Sequence, residues 1–228
     1  MTRLPWVFAL IGLLSACGGG SSDPSSSTTE VPQEIPLASG PVVAFMGDSI
    51  TQYWGGGAPA YPTIPITALV PGAIDAGIAG QTTDQMQQRF ASDVLSKKPD
   101  IVVILGGTND LRLEESPSID NIAAMASAAA AAGIRVVIGT VPPSELWLGS
   151  TFLTQAQTGP VIRQFNLQLS ELAASQGYAL ADYWSPMVDQ NGSPYENLFL
   201  SDHIHPNADG YAVMWAVLRP VLVDVAAQ

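Results

Sequence analysis

Three stretches of this chain are apolar at nearly every position over the length of a β-strand: Val42 to Met46, Ile101 to Leu105 and Ile134 to Val141. A strand with one wet face alternates polar and apolar side chains, so an unbroken run demands cover on both faces. Shorter candidates lie at Ala73 to Gly77 and Tyr178 to Ala181. Helical patterns fall between them. Thr82 and Gln85 have the spacing of a capping box, and Met86, Phe90 and Val94 follow at four-residue intervals that stack on one helix face. Ser118 to Ala132 opens on a capping serine, carries Ile122, Met125 and Ala129 as its stripe, and stops at Gly133. Val161, Phe165, Leu169 and Leu172 repeat the pattern before Gly177. A last helix is predicted from Ala208 toward Val225, where Pro220 is expected to cost a hydrogen bond and to kink or end it. Strands alternating with helices imply right-handed crossovers and an α/β fold, a three-layer α/β/α sandwich on a mostly parallel five-stranded sheet. Ligands of such sheets bind beyond the carboxyl ends of the strands.

The amino-terminal end has a different character. Arg3 precedes an apolar run from Leu4 to Leu14, and Ser15, Ala16 and Cys17 follow. This is the pattern of an export signal, too short for the roughly 20 apolar residues of a membrane-spanning helix. Leu14 to Cys17 resembles the lipobox of bacterial lipoproteins, in which cleavage exposes the cysteine and acyl chains are attached to it. Residues 1–17 are therefore expected to be a lipoprotein signal peptide, with Cys17 lipidated and the protein exported and tethered in the bacterial cell envelope, at the outer membrane or facing the periplasm. Each buried methylene of an acyl chain adds about 0.8 kcal/mol to membrane binding. Cys17 is the only cysteine, which excludes an internal disulfide. Residues 18–38 are rich in Gly, Ser, Thr and Pro without apolar periodicity, as in a flexible linker. Residues 39–228 then suffice for one domain. The net charge of −12 makes nucleic acid a poor partner, and no basic stripe with interleaved aromatics appears.

Chemistry concentrates at the predicted strand ends. The only two histidines, His203 and His205, stand together in Asp202 to Asn207. A hydroxyl nucleophile needs an imidazole to take its proton and a carboxylate to orient that imidazole. Asp202 can close onto His205 in a compact turn. His203 competes as base, but Pro206 and Asn207 look like a rigid helix entry that would hold His205. After the first strand comes Gly47-Asp48-Ser49, where an Asp or Ser can cap a helix and Ser49 can also sit among unpaired amides suited to an anion. Gly80, after the second candidate strand, permits a positive φ and leaves its amide open to a substrate oxygen. Asn109, after Gly106-Gly107, can serve its own turn or aim an amide donor toward Ser49. Two histidines beside Asp202 are also metal-ligand types, but no HExxH pattern or third histidine accompanies them.

Together these motifs resemble the SGNH hydrolase family, also called GDSL lipases and acylhydrolases. Ser49, Gly80, Asn109 and His205 match its four naming residues in order, within Gly47 to Thr51, Gly77 to Thr83, Gly107 to Asp110 and Asp202 to Asn207. One departure is His203, where many relatives carry a small residue. The resemblance implies a flavodoxin-like sandwich with Ser49 as nucleophile, His205 as base and then acid, and Asp202 as its orienting carboxylate. It implies an oxyanion hole of the Ser49 and Gly80 amides and the Asn109 side chain, and a serine esterase that works through an acyl-enzyme with no metal or organic cofactor.

The expected partners are a small-molecule or lipid ester and, through the anchor, a membrane. Relatives cleave lysophospholipids, aryl esters, thioesters or sugar acetates, and anchoring favours a lysophospholipase or other lipid esterase over a carbohydrate O-deacetylase. Tyr53, Trp54 and Trp147 can line an acyl pocket or fill the core. An α/β-hydrolase would share the order Ser, Asp, His, but Thr51 replaces the last glycine of its nucleophile elbow. Another class is a lipid-anchored binding protein that has lost catalysis. A nucleotide-binding sandwich would need a glycine-rich phosphate loop, and Gly55 to Gly57 lack that spacing.

Overall fold

The computed structural model describes residues 40–56, 64–113, 119–145 and 155–228. Five strands, β1 (Val43–Gly47), β2 (Ile74–Gly77), β3 (Ile101–Leu105), β4 (Arg135–Gly139) and β5 (Ala179–Ala181), form one sheet in the order β2-β1-β3-β4-β5. Every pairing is parallel. The α/β expectation of a five-stranded sandwich therefore holds, with all five strands running one way.

The unbroken apolar runs are explained by the two clusters that cover the sheet. Side chains of successive strand residues point to opposite faces. Ala44, Met46, Val102, Ile104, Val136 and Ile138 face one cluster, joined by helices α3 (Thr83–Asp93), α5 (Ile119–Ala131) and α6 (Gln155–Gln176). Val43, Phe45, Ile101, Val103, Leu105 and Val137 face the other, joined by α1 (Ser49–Trp54), α2 (Ile66–Leu69) and α7 (Ala208–Ala226). A short α4 (Thr108–Arg112) follows β3.

The predicted faces of α3 and α5 are the buried ones. Met86 and Phe90 of α3, with Val94 just after it, are buried, as are Ile122, Met125 and Ala129 of α5; in α6 Phe165 and Leu169 are buried with Ile162 and Ala173, whereas the expected Val161 and Leu172 are only partly buried. The Thr82 amide donates to Gln85 Oε1 at 3.0 Å, one half of the expected capping box. Helices α5 and α6 stop before Gly133 and Gly177. The predicted cap Ser118 lies outside the described residues.

Pro220 does not end the last helix, which runs on to Ala226. Leu218 on one side of it and Leu222 and Val225 on the other are buried in the same cluster. Burial of side chains of that size is worth about 1.5–3 kcal/mol each, enough to offset one missing hydrogen bond.

Candidate active site

β1 ends at Gly47, and Asp48 caps α1 by accepting the Ile50 amide at 2.9 Å. Ser49 is the first residue of that helix, so its own amide lies outside the helical ladder. The helix turns away at once because Gly47 has no side chain: a Cβ there would lie 2.0 Å from Thr51 Oγ1 and 2.8 Å from the Leu105 carbonyl. Asp48 thus takes the capping role and leaves the Ser49 hydroxyl free of it. Ser49 keeps 8% of its surface exposed, and its Oγ lies 2.8 Å from His205 Nε2.

The other ring nitrogen of His205, Nδ1, lies 2.6 Å from Asp202 Oδ2. A tight turn makes this contact. Asp202 Oδ1 accepts the Ile204 and His205 amides, each at 3.0 Å, which folds the carboxylate back over its own loop. The loop is fastened below by Leu200 N donating to His205 O at 2.9 Å, and Asn207 caps α7 through Gly210 N at 3.1 Å. From α7 the Tyr211 hydroxyl donates to the Ile50 carbonyl at 2.8 Å, tying the histidine loop to the serine helix. Burial opposes ionisation of Asp202, but the His205 amide, the His205 ring and the Ile204 amide outweigh it and hold the carboxyl below its usual range. The ring of Tyr53, one turn after Ser49, lies against the His205 ring with centroids 4.8 Å apart.

His203 takes a different part. Its backbone has φ +55°, its carbonyl accepts the Glu145 amide at 2.8 Å, and its Nδ1 lies 3.2 Å from Glu145 Oε2. It serves the contact between this loop and the segment after β4.

Gly80 has φ +80°, a conformation that penalises any side chain, and among the described residues beyond its chain neighbours no atom lies within 4 Å of where its Cβ would be. Asn109 is buried in α4, and its Nδ2 donates to the Gln81 carbonyl at 3.0 Å and lies 3.5 Å from Asp48 Oδ2. Beside it the buried Asp110 accepts the Thr83 amide through both oxygens and the Thr83 hydroxyl, pinning the start of α3. Arg89 of α3 donates to the Gly47 carbonyl at 2.9 Å, to Gln81 Oε1, and to Asp93 at 2.9 Å.

Burial pushes the Asp48 carboxyl up to about 7, against the pull of the Ile50 amide and with help from the charge of Asp110. A folded pKa above the unfolded value near 3.9 means that folding favours the protonated form. That contribution is complete below about pH 4 and is lost as pH rises through about 7. Asp48→Asn keeps an oxygen for the cap and cannot ionise. Its stability relative to the wild type, from urea unfolding, is expected to improve between pH 4 and pH 8 by at most about 4 kcal/mol. A flat difference across that range contradicts the assignment.

The structure thus brings Ser49, Gly80, Asn109, Asp202 and His205 to the carboxyl-end rim. Trp54 belongs to the core, packed on Phe45, Tyr183 and Tyr211, whereas Trp147 lies outside the described residues. Gln81 and Asp110 stand inside the motifs without a role apparent from the sequence, and Arg89 stands outside them. The signal for Arg89 was a cation three residues after Met86, flanking the buried stripe of α3.

Residues 45–213 match the model of the GDSL-like lipase/acylhydrolase family. Among solved structures, a GDSL-like lipase from Bacteroides thetaiotaomicron is 29% identical and superposes with a TM-score of 0.65, over 80% of this chain and 87% of its own. A lipase/acylhydrolase from Enterococcus faecalis shares the fold at 21% identity and a TM-score of 0.60, over 79% of this chain and 94% of its own. So does a variant of an acetyl xylan esterase from Geobacillus stearothermophilus, at 19% and 0.62, over 83% and 96%. A curated relative, the uncharacterized lipoprotein YqeF of Bacillus subtilis, is 51% identical over 37 residues, only 16% of this chain and 15% of that protein. The family match runs from β1 into α7 and takes in all four motifs: the chain belongs to the GDSL-like lipase/acylhydrolase family and is a hydrolase of ester bonds.

Proposed function

We propose that the chain is a serine esterase in which Ser49 is the nucleophile, His205 the general base and then acid, and Asp202 the carboxylate that orients His205. The observation that carries this reading is the unbroken line of contacts from Asp202 through His205 to Ser49, at 2.6 and 2.8 Å. With Nδ1–H held by Asp202, Nε2 keeps the lone pair that takes the Ser49 proton as Oγ attacks the ester carbonyl. The ionised Asp202 stabilises the imidazolium that results. His205 then protonates the departing alcohol, and the acyl-enzyme is hydrolysed by a water that His205 activates in turn.

The oxyanion of each tetrahedral intermediate is received by the Ser49 and Gly80 amides and by the Asn109 side chain. Support comes from their placement. Ser49 is at a helix start, and among the described residues no hydrogen-bond partner of the Gly80 amide appears. Asn109 donates to Gln81 O at 3.0 Å, which fixes the plane of the group, and its second hydrogen makes only a long 3.5 Å contact with Asp48 Oδ2 that a substrate oxygen would displace.

A fluorophosphonate probe tests the nucleophile. Wild type is expected to label and Ser49→Ala to lose the label, whereas a folded wild type that never labels favours a binding protein that has lost catalysis. His205→Ala should reduce p-nitrophenyl ester hydrolysis by on the order of 1,000-fold or more, and His203→Ala by less than about 10-fold. The reverse ranking would move the role of base to His203.

We also infer that residues 1–17 are a lipoprotein signal, that Cys17 is lipidated, and that residues 18–38 tether the domain to an envelope membrane. The signal-like run, the lipobox-like Leu14 to Cys17 and the short match to a lipoprotein support this. Cys17→Ala is expected to appear in the soluble fraction after cell breakage, and retention in membranes with an uncut amino terminus would refute lipidation. A domain held at a bilayer meets lipid esters at high local concentration, so lysophospholipid-like esters are the proposed substrate class. In a panel of equal concentration, lysophospholipid should be turned over faster than an acetylated sugar, and a clear preference for the sugar would replace lipid ester with carbohydrate O-deacetylation.

A further inference from the structure

We propose that Arg89 is a positioning residue for the oxyanion pocket, holding in one register the three loops that present its donors. This rests on the esterase reading above. The guanidinium is a rigid planar group. Its Nε and Nη2 hydrogens leave the same edge in parallel, so two acceptors gripped by that edge are set at a fixed separation. Here those acceptors are Gln81 Oε1 and the Gly47 carbonyl. Gly47 lies two residues before Ser49, and Gln81 directly follows Gly80. The third loop is attached at the same residue, because the Gln81 carbonyl accepts from Asn109 Nδ2 at 3.0 Å.

The remaining nitrogen, Nη1, faces Asp93 on the outer side of α3. That pair is of the i,i+4 kind with Asp93 35% exposed, and such pairs contribute little to stability. The inner edge acts on backbone that other bonds already hold in part: the Gly47 carbonyl also accepts the Ile78 amide at 3.1 Å. Loss of the fork therefore leaves β1 and β2 paired while their loops lose a common reference. A lysine carries the charge but has no planar edge to hold both acceptors.

Displacements of about 1 Å can cost on the order of 100-fold in rate. The test is kcat and KM on p-nitrophenyl butyrate, with thermal melts alongside. Arg89→Lys is expected to lower kcat by roughly 10- to 100-fold with KM changed less than about threefold. Gln81→Ala, which cuts one arm of the fork and leaves Arg89 in place, should lower kcat in the same direction and carries the test if Arg89→Lys fails to fold. Asp93→Asn should keep kcat, which separates the fork from the ion pair. The Arg89→Lys/Asn109→Ala pair should lose less than the product of the two single losses, since both act on the same stabilised charge.

Two failures are distinguishable. If Asn109→Ala costs on the order of 100-fold while Arg89→Lys and Gln81→Ala keep wild-type kcat, the pocket stands and the positioning role falls. If Asn109→Ala itself keeps kcat, the oxyanion reading beneath the proposal is wrong. Losses for Arg89→Lys and Asn109→Ala that multiply in full would also overturn it, because Arg89 would then act elsewhere.

Discussion

The site depends on β1 lying between β2 and β3. Neighbouring strands stand about 4.8 Å apart, so whatever leaves their carboxyl ends starts within reach of a single small group. Ser49 leaves β1, Gly80 follows β2 and Asn109 follows β3, residues far apart in sequence that the registers Gly47↔Gly77 and Gly47↔Leu105 set side by side. The sheet order reverses at this point, where open parallel sheets form their binding crevice. The two apolar clusters do more than stabilise the domain. By covering both faces they fix the pairing that aligns those three exits.

The histidine arrives by another route, since no strand delivers it. Its loop is built from local bonds, Asp202 to the amides of Ile204 and His205 and Asn207 to the start of α7, and then hung on the rest by the packing of α7 against the sheet. Tyr211 joins the two routes through its bond to the Ile50 carbonyl. The Ser49 to His205 contact spans 156 positions of sequence but is set by one short loop and one helix at each end.

This division explains what was legible in the sequence. Strand runs, helix stripes and stops are local or periodic signals, and the five strands, the stripes of α3 and α5 and the stops at Gly133 and Gly177 appear where the residues were read, while the stripe of α6 is shifted toward Ile162 and Ala173. The four motifs lie at element ends, so they survive small boundary errors. The helix runs to Ala226 as its pattern indicated, and what carries it past Pro220, the burial of Leu218, Leu222 and Val225 against a distant sheet, is not a local property. Trp54 was ambiguous for the same reason: an aromatic one turn after Ser49 can face the rim or the core, and its packing on Phe45, Tyr183 and Tyr211 decides. Arg89 shows in the sequence only as a cation beside the stripe of α3; its partners, a backbone carbonyl 42 residues earlier and an amide side chain eight residues earlier, have no sequence signature.

The buried acids make the electrostatic problem of the site explicit. Asp48 and Asp110 lie close to where the proposed reaction develops an oxyanion, and each is spent on a backbone amide, at Ile50 and at Thr83. Two buried carboxylates beside a third negative charge would raise the barrier rather than lower it. Burial and the charge of Asp110 move Asp48 up to about 7, so near neutral pH a large fraction of the molecules hold it uncharged. Arg89 adds a fixed cation to the Gly47 carbonyl, one residue from Asp48. A capping acid held largely uncharged, with the Arg89 guanidinium beside it, would leave the proposed oxyanion donors with less opposing charge. The same residues that shape the loops therefore set the field in which an acyl carbonyl would be polarised.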